Sequence, residues 1–342
     1  MKKTLLTICL VWMCFSLSAQ KIIDLSGKWS FSIDRQDNGE KEKWFSHTLN
    51  DFINLPGSMP EKLKGDEVTA KTQWTGSLYD SSYYYNPYME KYRKEGNIKF
   101  PFFLTPDKHY VGAAWYQKEV NIPADWKGER ILLFLERPHI ETTVWVNGQK
   151  TGMQNSLCVP HQYDITHYVR PGKCTITIRV DNRIKEINVG PDSHSITDQT
   201  QGNWNGIVGR ICLQTTPKTY FDDIQIYPEP EQKLARVKVV IKGTGTAKVK
   251  LSAESFNTDK KHIVPAIQQE IKLNKGVTET EMVLPMGNDM LLWDEFHPAL
   301  YKLKAEVTNG KKTEIKEIQF GMRRFETVSY THLRAHETSA HL

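Results

Sequence analysis

Few side chains in this sequence are spaced to do chemistry by themselves. Asp294 and Glu295 lie between Trp293 and Phe296, an acidic pair beside aromatics that imitates a general acid–base couple. The pair reads instead as part of a loop. His332 and His336 are four residues apart, as two metal ligands on one helical face would be, but no carboxylate at a suitable spacing completes the motif. His139, His161, His167 and His194 lack ligand spacing and read as ordinary polar residues. Gly243-Thr244-Gly245 lacks the further glycine and the helix of a phosphate loop. Ser, His and Asp are plentiful, yet no nucleophile-elbow sequence occurs. The stretch Ser193 to Asn205 differs in kind, being dense in hydrogen-bonding groups. No metal site and no cofactor is expected.

The elements that must position such groups are strands. Trp29, Phe31 and Ile33 alternate with polar residues, and Ile131 to Leu135 is a short continuous apolar run, as in a strand covered on both faces. Val144-Trp145-Val146 leads into Asn147-Gly148, a strong hairpin signal, with a return strand from Gln149. Val237, Val239 and Ile241 alternate, followed by Val249 and Leu251. Leu303, Ala305 and Val307 lead to Asn309-Gly310, a second hairpin signal. Long amphipathic helices are absent from the pattern. Short strands at regular spacing with Gly, Asn and Pro turns indicate β-sandwiches. Gly65 to Thr105 is a long irregular segment holding Trp74 and the tyrosines 79, 83, 84, 85, 88 and 92. Such a loop could line a glycan subsite, cover a sandwich edge or form an interface.

Charged residues make up 25% of the chain and hydrophobic ones 39%, the balance of a globular protein. The net charge of +5 is spread without a basic block, which leaves a nucleic-acid partner unsupported. Lys2 and Lys3, the apolar run Leu5 to Phe15 and Ser18-Ala19 form a secretory leader, with the mature chain starting near Gln20. A membrane anchor is the competing reading, though a span needs about 20 apolar residues. Cleavage would remove Cys9 and Cys14 and leave Cys158, Cys174 and Cys212, too few for a disulfide framework. Cys174 shares a strand face with Ile176, Ile178 and Val180 and reads as buried; a Cys158–Cys174 bridge stays open. Residues 328–342 show no sustained strand or helix period and resemble a sequencing adapter read in one frame.

Several segments in order resemble glycoside hydrolase family 2, the family of β-galactosidases and β-glucuronidases. They are Asp24-Leu25-Ser26-Gly27-Lys28-Trp29, Leu55-Pro56-Gly57-Ser58, Ala114-Trp115-Tyr116 with Ile122-Pro123, and Thr143-Val144-Trp145-Val146-Asn147-Gly148. Tyr163-Asp164-Ile165-Thr166, Ile178-Arg179-Val180-Asp181-Asn182 and Trp204-Asn205-Gly206-Ile207-Val208-Gly209-Arg210 follow. Trp293 with Pro298-Ala299-Leu300-Tyr301, then Phe320-Gly321-Met322-Arg323, complete the set. The resemblance implies an all-β fold: a jelly-roll, galactose-binding-like sandwich over 20–217 and an immunoglobulin-like sandwich over 218–322. Residues 1–19 are then the leader, 323–327 begin a linker, and 328–342 are foreign. The tryptophans are expected to fill the sandwich core.

The resemblance also implies retaining hydrolysis by two glutamates about 5–5.5 Å apart. In the family both come from a barrel after the second sandwich, so no catalytic residue is assigned here and the catalytic barrel is expected to be absent. Asp198, Asn203 and Trp204 fall in a loop that touches sugar in some relatives. A carboxylate can accept from two hydroxyls and an indole face can stack on a pyranose. Against this, the loop's side chains could simply satisfy its own backbone, and Trp204 could belong to the core. The expected protein is an exported, periplasmic piece of a β-glycosidase, inactive by itself, partnered by an oligosaccharide or glycoside and by the barrel, with no membrane contact after leader removal. The alternative is a stand-alone carbohydrate-binding or adhesion module. Sequencing the N-terminus of exported protein should return a start near Gln20; an intact Met1 in the membrane fraction would show an anchor instead.

Overall fold

Side-chain alternation decides which way each strand faces, and the strands then assemble into two compact units that divide at Thr216 and Pro217. The computed structural model describes residues 21–75, 81–100, 105–185, 198 and 202–324. The proposed leader and the tail from 325 lie outside these.

The first unit contains β1 (Ile22–Asp24), β2 (Gly27–Asp34), β3 (Asp51–Leu55), β4 (Gly57–Ser58), β5 (Asp66–Glu67), β6 (Lys108–His109) and β7 (Ala113–Ile122). It continues with β8 (Arg130–Pro138), β9 (Glu141–Val146), β10 (Gln149–Asn155), β11 (His161–Asp164), β12 (Gly172–Asp181) and β13 (Gly206–Thr216). One sheet runs β1-β13-β8-β11, with β4 added against β13; the other runs β10-β9-β12-β7-β2-β3. Neighbours pair antiparallel, and the non-sequential order is that of a jelly-roll sandwich. The core between the sheets gathers Trp29 and Phe31, then Leu133 and Leu135, Val144 and Val146, and Cys174, Ile176, Ile178 and Val180. Asn147 and Gly148 take φ of 50° and 79°, so the two-residue loop between Val146 and Gln149 closes as its residue types demand.

The tryptophans divide between two faces, which corrects the expectation that all fill the sandwich core. Trp29 lies in it, but Trp115 and Trp145 point to the opposite face of the six-stranded sheet. There they form a second cluster with Leu49, packed by Trp44 and Phe45 from the loop between β2 and β3. Parity explains it: Trp115 and Trp145 are flanked by inward residues on their own strands. Buried Asp34 fixes the covering loop. Its carboxylate accepts from the amides of Asn38 and Gly39 and from Trp115 Nε1, each at 2.9 Å.

The second unit contains β14 (Tyr220–Glu229), β15 (Leu234–Phe256), β16 (Ile263–Pro285), β17 (Leu300–Asn309) and β18 (Lys312–Phe320). β15 and β16 are long and interrupted. The first part of β15 pairs with β14 and the last part of β16; its second part pairs with β17 and the first part of β16. The break falls at Gly243 to Gly245, where the register shifts and Gly245 has φ 85°. The two halves share one core, with Val237, Val239 and Ile241 on one side and Val249, Leu251, Leu303 and Ala305 on the other. This is an immunoglobulin-like sandwich. The second hairpin turns one residue later than Asn309-Gly310 suggests. Asn309 stays in β17 opposite Lys312, and its side chain donates to Thr219 Oγ1 and the Thr244 carbonyl. Cys158, Cys174 and Cys212 are free.

A Cβ on Gly39 would stand 2.5 Å from Trp115 Nε1. Gly39→Ala should therefore lower unfolding free energy in urea by about 1–3 kcal/mol through overpacking; an unchanged midpoint would show that the covering loop is not tightly seated.

Candidate functional site

Asp198, Asn203 and Trp204 come together at one end of the first sandwich, where β12 ends and β13 begins. Asp198 is 2% exposed. Its Oδ1 accepts from the Asn203 amide and its Oδ2 from the Thr75 amide, while its own amide donates to the Thr75 carbonyl. Asn203 is also buried. Its side-chain amide donates to Thr75 Oγ1 and to the Asn182 carbonyl, and its Oδ1 accepts from Asn182 Nδ2, all at 3.0 Å. Both residues therefore spend their polar groups on holding the loop to Thr75 and Asn182. Trp204 is half-buried and outside the apolar core; its ring stacks on His139 at 4.6 Å, and His139 Nδ1 donates to its carbonyl. Burial lowers the His139 pKa, so the ring stays neutral at ordinary pH. The neighbouring positions 193–197 and 199–201 lie outside the described residues.

Two residues that the sequence marks only as parts of family-like motifs, Asn182 and Asn205, complete this lattice. Asn182 Oδ1 accepts from the Gly112 amide and its Nδ2 donates to the Tyr110 carbonyl. Asn205 Nδ2 donates to the carbonyls of Gly112 and Val180, and its Oδ1 accepts from the Tyr116 hydroxyl at 2.7 Å. Its carbonyl accepts from the Met59 amide, and a Cβ on Gly206 would meet the Gly57 carbonyl at 2.5 Å. The Leu55-Pro56-Gly57-Ser58 and Trp204-Asn205-Gly206 motifs thus meet in space, and their glycine is needed for the approach. His109, 7% exposed, sets Nε2 3.5 Å from Asp198 Oδ2 without a hydrogen bond.

Among the described residues, Glu141 and Asp181 are two buried acids that converge. Glu141 and Asp181 both accept from Lys185 Nζ at 2.9 Å, and both face Arg179. Asp181 is 0% and Glu141 8% exposed. Arg183 binds Asp181 again and ties it to Asp37. Burial alone would raise the Asp181 carboxyl. Hydrogen bonds from Arg183 and Lys185 and the charge of Arg179 outweigh it and hold the group far below the usual carboxylate range. A retaining couple needs one carboxyl that carries a proton at working pH and a space for the sugar between the two. Two cations, Arg179 and Lys185, bridge this pair and Arg183 binds its Asp181 as well, so it is an ion network that ends β12. Glu295 lies in an exposed loop closed by the Trp293–Pro298 bridge, in keeping with its sequence reading. Asp66 and Glu67 line a groove, but each is exposed and paired, with Arg35 and Lys108.

Comparison with known proteins agrees with this architecture. Residues 22–217 match the family model described as "Glycosyl hydrolases family 2, sugar binding domain", and residues 219–323 match "Glycosyl hydrolases family 2". The chain belongs to glycosyl hydrolase family 2. It is 24% identical to human β-glucuronidase over 319 residues, covering 83% of this chain and 41% of that protein. It is 24% identical to β-galactosidase of Clostridium acetobutylicum over 312 residues, covering 89% of this chain and 31% of that protein. Among solved structures, β-glucuronidase of Ruminococcus gnavus matches with a TM-score of 0.56 at 18% identity, covering 89% of this chain and 45% of that one. An uncultured Clostridium sp. β-glucuronidase matches at 0.58 and 20%, covering 91% and 46%. The chain therefore spans less than half the length of these relatives.

Because the Asp181 pKa is depressed on folding, its contribution is present above the ordinary carboxylate range and is lost as pH falls toward the folded value. Asp181→Asn should cost about 3–5 kcal/mol near neutral pH, as loss of one buried partner does, and should flatten the acid limb of the stability curve measured in urea. A neutral variant with wild-type acid sensitivity would rule the network out as a stabilising element.

Proposed function

We propose that this chain is the sugar-binding and immunoglobulin-like portion of an exported, periplasmic, retaining β-glycosidase of the β-glucuronidase or β-galactosidase type. The observation that carries the reading is the succession of two family domains combined with a converging acid pair that cations occupy. The catalytic carboxylates then come from outside residues 21–324, and this polypeptide alone does not turn over substrate. The substrate is a β-linked glycoside or oligosaccharide. The role of the first sandwich is to brace the loop that carries Asp198, Asn203 and Trp204 and to offer it to the sugar. Asp198 and Asn203 are buried and fix the loop through bonds to Thr75 and Asn182. Trp204 is the most open of the three, with one face taken by His139.

The purified chain should release no nitrophenol from aryl β-glucuronides or β-galactosides. Turnover abolished by changing a carboxylate within residues 21–324 would overturn the proposal. Reading the genomic locus beyond Glu326 is the companion test. An open frame with alternating strands and helices and an Asn-Glu pair supports the enzyme; an immediate stop codon supports a stand-alone binding module.

A further inference from the structure

Residues 81–100 build a small rigid platform on the excursion between β5 and β6. Tyr83 is fully buried and stacks on Phe100 at 4.6 Å. Its hydroxyl donates to the Tyr92 carbonyl at 2.8 Å, and Arg93 donates to its carbonyl. Asn86 Oδ1 accepts from the Tyr88 amide and starts the turn Pro87–Tyr92. This frame holds Tyr85 and Tyr88 in the open, at 82% and 84% exposure. Tyr92, at the end of the same turn, walls a groove that Asn97, Lys99 and Phe100 also line.

A tyrosine ring can remove about 150–250 Å² from water on burial, and its hydroxyl keeps a polar handle. Two such rings held outward by a fixed backbone lose little conformational freedom when something covers them. The segment carries a net positive charge. Residues 81–100 contain four cations, Lys91, Arg93, Lys94 and Lys99, against Glu90 and Glu95; Glu67, paired with Lys108, and Asp107 also line the groove. Lys91 lies over the Tyr92 ring at 4.9 Å, and Lys91 and Lys99 are exposed. Flat apolar faces with hydroxyl handles and excess positive charge complement a polymer of rings that bear carboxylates.

We infer that Tyr85 and Tyr88, with Lys91 and Lys99, form a binding surface for a uronic-acid-bearing glycan. The inference rests on the sugar-handling function proposed above and adds to it the charge class of the polymer. Stacking on the two tyrosines supplies contact with the sugar faces, and the lysines select acidic chains over neutral ones.

Affinity electrophoresis of the whole chain tests this, with polygalacturonate or a neutral β-glucan cast in the gel. Polygalacturonate should retard the wild-type chain, the retardation should weaken with added salt, and the neutral polymer should have little effect. Tyr85→Ala with Tyr88→Ala should weaken binding about tenfold or more with an unchanged melting temperature, since both side chains are exposed. Lys91→Gln with Lys99→Gln should weaken it and reduce the salt dependence. The inference fails if polygalacturonate does not retard the wild type, if the tyrosine variant is retarded equally, or if the neutral polymer binds as well. It also fails if sedimentation shows a dimer that the tyrosine variant loses, which would make the patch a protein interface. The readout is binding, so such failure leaves the family reading standing, whereas turnover by this chain alone would sink the proposed function and not the binding surface.

Discussion

A carboxylate removed from water has to be neutralised or hydrogen-bonded, and this constraint shapes the first sandwich more than any other. Asp34 meets it with two backbone amides and the Trp115 indole, and so fastens a loop over the outer face of the sheet. Asp181 meets it with Arg179, Arg183 and Lys185, and so ends β12. Asp198 meets it with the amides of Thr75 and Asn203, and so ties together two loops distant in sequence. Each solution consumes the acid in architecture.

That use separates these acids from the ones glycoside hydrolysis needs. Retaining hydrolysis depends on two carboxyls whose environments push their pKa values apart, with the substrate between them. The Glu141–Asp181 pair has the proximity and lacks both other conditions: its Asp is held ionised, and the intervening space holds cations. The lattice of Asn182, Asn203 and Asn205 adds rigidity at the same end of the sandwich, because every side-chain amide bond it makes crosses between segments.

Much of the fold was legible because local chemistry and global fold agree. Asn147-Gly148 closes the hairpin that its positive φ values allow, and Cys174 lies inward with Ile176, Ile178 and Val180. The two interruptions of legibility have physical causes. Trp115 and Trp145 are large and apolar, so composition sends them to the core, while strand parity sends them to the other face, and the covering loop that makes this possible has no periodic signal. The bend of β15 is written only in Gly243 to Gly245, a pair of glycines that resembles a loop. The site was less legible than the fold. Asp198 and Asn203 stand in a dense polar segment that the sequence shows, but their partners Thr75, Asn182 and His109 are far away in sequence. The Asp181 network was visible only as a strand end.

The central claim is that no acid in these two domains acts as a glycosidic nucleophile, and trapping tests it most directly. An activated 2-fluoro β-glycoside that accumulates the covalent glycosyl-enzyme should be incubated with the chain and the intact mass recorded. The account predicts an unchanged mass with both glucuronyl and galactosyl reagents. A stoichiometric adduct mapped to an Asp or Glu between residues 21 and 324 would contradict it.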